Sequence, residues 1–125
     1  MGVIRHADSR RTETPNAIMT TLASPTQGGA RQALWRVEMR PGQAGPPHTF
    51  DAEQVWTVLA GGATVQLDGQ TLAIEPGDTV VMPPGVPRQV IADPQAGFAA
   101  IVTAPAGARA CTPDGTDHGV PAWIA

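Results

Sequence analysis

Apolar and polar residues alternate in short runs along most of this chain. Trp35, Val37 and Met39 alternate with Arg36, Glu38 and Arg40, as a strand with one buried face requires. Ala30, Ala33, Leu34 and Val37 also fit one face of a helix. The short length and the flanking Gly28-Gly29 and Pro41-Gly42 favour the strand. Further on, Gln54 to Leu59 is a β-rich run closed by Ala60-Gly61-Gly62. Ala63, Val65 and Leu67 then alternate with Thr64, Gln66 and Asp68. Asp68-Gly69 is a two-residue hairpin signal, because a type I′ turn needs positive φ at both central residues. Gln70 to Ile74 returns from that turn. Thr79 to Met82, Arg88 to Ile91 and Phe98 to Thr103 follow, separated by Glu75-Pro76-Gly77-Asp78, by Pro83-Pro84-Gly85-Val86-Pro87 and by Asp93-Pro94. Strands recurring about every 8–12 residues between tight turns predict an antiparallel sandwich or barrel.

The ends are patterned more weakly. Residues 1–30 are polar and rich in Ser and Thr. They are expected to form an arm with one short strand around Ala17 to Leu22, whose Ile18, Met19 and Leu22 pack on the domain or on a partner subunit. Residues 31–105 carry the regular strands, and 106–125 read as a loop-like tail ending in Pro121-Ala122-Trp123.

Composition narrows the class. At 125 residues the chain makes one domain, and Gly 14 with Pro 13, about a fifth of it, suits many turns better than long helices. The formal net charge is -3, and the eight basic residues, all arginine, do not cluster, which excludes the basic stripe of a nucleic-acid binder. No run approaches the roughly 18 apolar residues that span a bilayer, and the start lacks a signal-peptide apolar region, so a soluble cytoplasmic protein is expected. A lone Cys111 excludes an intramolecular disulfide and a multi-cysteine zinc cluster.

Two spaced motifs carry the chemistry. Pro41-Gly42, then Pro46-Pro47-His48-Thr49-Phe50, Gln54 and Val58-Leu59-Ala60-Gly61 form the first. Pro76-Gly77-Asp78, Pro83, Gly85 and Arg88 form the second. Together they resemble the paired signatures of the cupin superfamily, over Pro41 to about Ala92. The resemblance implies an all-β fold, a small antiparallel double-sheet β-barrel of jelly-roll type, usually dimeric, with a ligand pocket inside. It also implies a metal held by two histidines and a glutamate of the first signature and a histidine of the second. Matched position by position, this chain keeps only His48. Phe50 stands at the second histidine position, Gln54 at the glutamate position and Arg88 at the last histidine position.

That set is a poor metal site. Phe50 has no donor atom, the Gln54 carbonyl oxygen is a weaker ligand than a carboxylate, and Arg88 is a fixed cation with no lone pair. Such a cation within a few ångströms repels a divalent ion by several kcal/mol at an effective dielectric of about 20. No metal and no cofactor is therefore expected. A register change bringing Glu53 inward would restore a carboxylate, but a slip of one residue would turn the whole strand inside out.

The family frame instead places His48, Phe50, Gln54, Trp56 and Arg88 around one cavity. If Gln54 faces inward, so do Trp56 and Val58, and Arg88, Val90 and Ala92 line a neighbouring strand on the same grounds. Arg88 suits an anionic oxygen, and His48 suits proton transfer. Structural roles compete with each of these. Arg88 could pair with Glu38, Asp51 or Glu53, and His48 could donate to a backbone carbonyl. Phe50 and Trp56 could be core, and Gln54 could be satisfied by Arg88 or water. His118 reads as a surface-loop residue that reaches the pocket only if the tail folds over its mouth. His6 reads as solvated, and Cys111 and Asp117 have no partners that would make a nucleophilic site.

Three functions remain open: a metal-independent isomerase, cyclase or lyase using His48 and Arg88 as catalytic residues; a non-catalytic module holding a small anionic or aromatic molecule; and a metal-dependent dioxygenase with an altered ligand set. The expected partners are a small-molecule ligand and a second copy of the chain in a homodimer, with neither nucleic acid nor membrane.

Overall fold

In a computed structural model, which describes residues 2–125, the regular pattern becomes twelve strands. They are β1 (Arg10–Glu13), β2 (Ile18–Ala23), β3 (Gln32–Met39), β4 (Thr49–Phe50), β5 (Gln54–Gly61), β6 (Ala63–Leu67), β7 (Gln70–Ile74), β8 (Thr79–Met82), β9 (Arg88–Ala92), β10 (Phe98–Pro105), β11 (Ala110–Cys111) and β12 (Asp117–Gly119). The only helical element among the described residues is a single 3-10 turn, His6–Asp8. Ala30 to Arg40, where strand and helix competed, is strand β3.

The strands make two facing layers. The first is a six-stranded antiparallel sheet in the order β1-β2-β3-β10-β5-β8. The second is built from two three-stranded pieces, β12-β11-β4 and β7-β6-β9. An antiparallel bridge between His48 and Arg88 joins these pieces, with each residue's N–H donating to the other's carbonyl at 3.0 Å. This is the double-sheet jelly roll that the turn spacing predicts, with the two sheets packed face to face and not closed into a hydrogen-bonded barrel.

Inward residues follow the period of two. Ala33, Trp35, Val37 and Met39 are buried along β3, and Arg88, Val90 and Ala92 along β9. On the first sheet Trp35, Val102 and Trp56 form one row, because β10 pairs Val102 with both tryptophans. The expected neighbour relation between the Gln54 and Arg88 strands is corrected here. β9 is hydrogen-bonded to β6, whereas β5 pairs with β10 and β8, so Gln54 and Arg88 meet across the interior and not along one sheet.

The segments before residue 31 and after residue 105 build part of these layers. The strand expected near Ala17 to Leu22 is β2, and it is joined by β1 at the sheet edge. The tail supplies β11 and β12, with Ala110 opposite Phe50 and Cys111 opposite Thr49. Its last turn is anchored by Ile124, fully buried, and by the Thr21 hydroxyl donating to the Trp123 carbonyl at 2.9 Å.

The turn reading of Asp68-Gly69 holds. Asp68 has φ 50 and Gly69 φ 77 between the paired residues Leu67 and Gln70, and Asp68 is the only non-glycine with positive φ among the described residues. Gly61 (φ 69) answers a different demand, since a Cβ there would overlap the backbone carbonyl of Gly97, whereas a Cβ on Gly69 meets nothing within 4 Å. Urea unfolding is therefore expected to show Gly61→Ala losing about 3 kcal/mol or more, from strain and clash together, and Gly69→Ala losing only about 1 kcal/mol.

Candidate functional site: a buried guanidinium beside a free imidazole

Between the layers lies a cavity of ≈ 550 Å³. All five residues expected to line it do so: His48, Phe50, Gln54, Trp56 and Arg88.

Arg88 is the centre of the arrangement and is only 3% exposed. It opens β9 directly after the turn Pro83-Pro84-Gly85-Val86-Pro87. Prolines contribute no N–H, so this turn is rich in carbonyl acceptors. Two of them receive the guanidinium, Pro83 from Nη2 at 2.9 Å and Val86 from Nε at 3.3 Å. Nη1 donates to Gln54 Oε1 at 3.4 Å, and Cζ sits 5.3 Å from the centre of the Phe50 ring. Two of the five guanidinium N–H groups are left without an acceptor. Burial lowers the group to about 10, which keeps it protonated at neutral pH.

No carboxylate balances this charge among the described residues. Glu38 pairs with Arg36 at 2.7 Å, Asp51 accepts the Arg109 N–H at 2.7 Å, and Glu53 is exposed. The expectation that Arg88 might be buried in an ion pair with one of these three is thus not met. The register has not slipped to bring Glu53 inward either, since Gln54 is the buried one of the two.

Gln54, 1% exposed, presents an imbalance of the opposite kind. Its Oε1 accepts from Trp56 Nε1 at 3.0 Å as well as from Arg88. Its Nε2 is buried with no partner. Both neighbours of the oxygen are obligate donors, so turning the amide round would set Nε2 against two N–H groups. The orphaned donor is therefore fixed by the site, at a cost of about 1–3 kcal/mol.

His48 lies edge-on to the Phe50 ring, 5.0 Å between centroids. Its Nδ1 is 2.6 Å from the Pro46 carbonyl, and since that oxygen can only accept, the proton sits on Nδ1 and the lone pair on Nε2. Burial lowers its pKa most, the Pro46 bond opposes this, and repulsion from Arg88 lowers it further. The structural donation to a carbonyl and the capacity to act as a base are thus compatible, because each uses a different ring nitrogen. The aromatics are shared between core and cavity in the same way, with Trp56 stacked on Phe98 at 6.2 Å and also lining the space.

Other walls were not anticipated as ligand-facing. Trp35 and Met39 come from β3, Met19 from β2, Asn16 from the turn between β1 and β2, and Trp123 and His118 from the tail. The alternation at Trp35 and Met39 placed them on a buried face without revealing which cavity that face meets. His118, read first as a surface-loop residue, is exposed but borders the cavity, because the tail does fold over its mouth. His6 is exposed and lies outside the site.

The donor set does not fit a divalent metal at the position where the fold family holds one. No cluster of three or more His, Cys, Asp or Glu side chains suited to a metal occurs among the described residues. The oxygen of Gln54 is already committed to two donors, and a cation stands beside it.

The match to known proteins agrees with the fold. A cupin domain model covers residues 35–104, more than half of the chain, and the protein belongs to the cupin family. Solved structures similar to it include the polyketide cyclase RemF from Streptomyces resistomycificus, 23% identical over 98% of this chain and 88% of that one, with a TM-score of 0.74. KdgF from Halomonas sp. is 18% identical over 84% and 94%, with a TM-score of 0.69. The salicylate 1,2-dioxygenase from Pseudaminobacter salicylatoxidans is 21% identical over 86% of this chain and 33% of its own, with a TM-score of 0.72. No curated protein sequence matches the chain.

The electrostatics of His48 has a measurable sign. Its folded pKa lies below its unfolded value near 6.5, so the native state resists protonation. Stability should be unaffected above about pH 7 and should fall as pH drops from the unfolded value toward the folded one. Histidine NMR titration is expected to place the His48 midpoint below 6.5 and to find it raised in Arg88→Gln.

Proposed function

We propose that this protein is a metal-independent enzyme that binds a planar, enolisable carbonyl compound or its anion and moves a proton within it, as an isomerase, cyclase or lyase does. The observation that carries this reading is the pair of unmet demands at one end of the cavity. A buried cation lacks a counter-charge, and a buried amide N–H lacks an acceptor. Both call for an acceptor oxygen supplied from outside the chain, preferably anionic. Trp35, Trp56, Trp123 and Phe50 offer flat apolar walls for the body attached to that oxygen.

The mechanism follows from the positions of donors and lone pair. The Nε2 lone pair of His48 takes a proton from the carbon next to the carbonyl. The electron pair of the broken C–H bond moves into the carbon–carbon bond, and charge collects on the carbonyl oxygen. Gln54 Nε2–H and a free guanidinium N–H of Arg88 are present before that charge develops, which is the condition for electrostatic stabilisation without reorganisation. Return of the proton to another carbon completes an isomerisation. In a cyclisation the new carbanion forms a bond to a second carbonyl carbon, whose oxygen takes the proton from His48. Neither route needs an added oxidant. The polyketide cyclase RemF, whose structure this chain overlays along 98% of its length, is in keeping with the second route.

Tryptophan fluorescence titration against a panel of aryl carboxylates and aryl 1,3-diketones tests the site. Arg88→Ala is expected to weaken binding at least tenfold, the loss of about one charge-assisted hydrogen bond. His48→Asn is expected to bind nearly as wild type and to abolish proton exchange at the central carbon of the diketones. Unchanged affinity in Arg88→Ala would remove the guanidinium from the site. Binding without exchange in the wild type would leave a ligand-holding module.

A further inference from the structure

The bridge between His48 and Arg88 has a geometric consequence for the tail. β4, β11 and β12 are consecutive in the second sheet, and Thr49 pairs with Cys111. Carrying that antiparallel register on by one residue sets Thr112 beside His48. Thr112 and His118 both face the cavity, as do His48 and Arg88. The inner face of the sheet therefore presents Thr112, His48 and Arg88 in a row from strand to strand, with His118 displaced along β12 by the irregularity that sets Cys111 opposite Asp117, yet within hydrogen-bond reach of Thr112. The two imidazoles are two strand spacings apart across the sheet, about 10 Å at the backbone before the displacement of His118 along β12 is added.

The hydrogen bonds fix which nitrogen of His118 carries a proton. The Thr112 hydroxyl donates to Asp114 Oδ1, and a carboxylate can only accept. That hydroxyl has one hydrogen, so Thr112 Oγ1 must accept from His118 Nε2, 3.2 Å away. Asp114 is held in place by the Thr116 N–H at 3.0 Å and is kept ionised, at about 2, chiefly by these hydrogen bonds. Nε2 is thus a permanent donor, and Nδ1 is left without a partner. Asp114 and Asp117 are the anions near this ring, and Arg109 pairs with Asp117 at 3.0 Å.

We propose that His118 is a second proton-transfer residue of the cavity, the acid that answers His48 as base, with Thr112 and Asp114 as its positioning residues. The proposal rests on the proton-transfer reading of the site given above. As His48 Nε2 takes the carbon-bound proton, the imidazolium of His118 gives its Nδ1 proton to the second carbonyl oxygen of a 1,3-dicarbonyl compound, the one not held by Arg88 and Gln54. The C–H pair becomes the carbon–carbon π bond, and the carbonyl π pair becomes the new O–H bond. His48 ends as the cation, His118 ends neutral with its proton on Nε2, and both reset by exchange with water.

Benzoylacetone, an aryl 1,3-diketone whose keto and enol forms differ in ultraviolet absorption, is the probe. The chain has three histidines, so their ring nitrogens can be followed individually by long-range ¹⁵N NMR. The wild type is expected to show His118 carrying its neutral-state proton on Nε2, and to show His118 Nδ1 and His48 Nε2 shifting along one saturation curve as probe is added. Tautomerisation should slow about 100-fold in His118→Asn and about tenfold in Thr112→Val, with KM within twofold of wild type. Thr112→Val should also let the His118 proton distribute between both nitrogens, and it is the slowed rate at unchanged KM that a purely structural role would not produce. A His118 ring bare at Nε2, or a His118→Asn rate equal to wild type while His48→Asn is inactive, would overturn the proposal and leave His48 in place. A wild type that neither binds nor tautomerises the probe would overturn both.

Discussion

A buried positive charge with no negative partner is the constraint around which this jelly roll is arranged. The Arg88 guanidinium is held by neutral groups alone, the carbonyls of Pro83 and Val86, the oxygen of Gln54 and the face of Phe50. Each of those neighbours is explained by the need to receive it. The proline-rich turn supplies acceptors without competing donors. Gln54 must turn its oxygen toward the charge, which strands its nitrogen in the cavity. Phe50 offers a ring face that tolerates a cation, and His48, edge-on to the same ring, has its pKa lowered partly by the same charge. Replacing the guanidinium by an apolar group would ease the fold and remove the reason for the site.

Against that background the loss of metal-ligand chemistry is coherent. Cupins share a scaffold that brings two motifs to one point across two sheets. Here the same backbone positions carry a phenyl ring, an amide and a guanidinium where the family pattern has imidazoles and a carboxylate. The result is a set of fixed N–H donors and a guanidinium cation where the family pattern has electron-pair donors. One histidine remains from the pattern, and its lone pair faces a cavity that has become cationic.

How much of this the sequence discloses depends on the range of the forces involved. Asp68-Gly69 can be read as a hairpin because positive φ is a local demand written in two adjacent residues. The inward set Gln54, Trp56 and Val58 follows from a period of two, and the buried face of β9 from the same rule. The opposition of Gln54 and Arg88 across the interior is a matter of sheet order, which no local pattern encodes. The tail strands are harder still. Ala110–Cys111 and Asp117–Gly119 are too short to alternate, and they form because β4 offers an unpaired edge more than fifty residues earlier in the chain. His118 could be assigned to the cavity only after that edge was found. The contribution of Trp123 depends on the same long-range closure, whereas Asn16 and Met19 reach the cavity through the pairing of β2 with β1 and β3.

The backbone seam between His48 and Arg88 ties two quantities together, the hold of the half-sheets on each other and the shape of the cavity. The amides that stitch the half-sheets together belong to residues that line the cavity, so opening the seam dismantles that end of the cavity in the same event. Local breathing there cannot serve as a gate, because a partly opened molecule has already lost that wall of the cavity. Exchange between the cavity and solvent then passes where the tail and the turn before β2 border the space, while the seam stays shut.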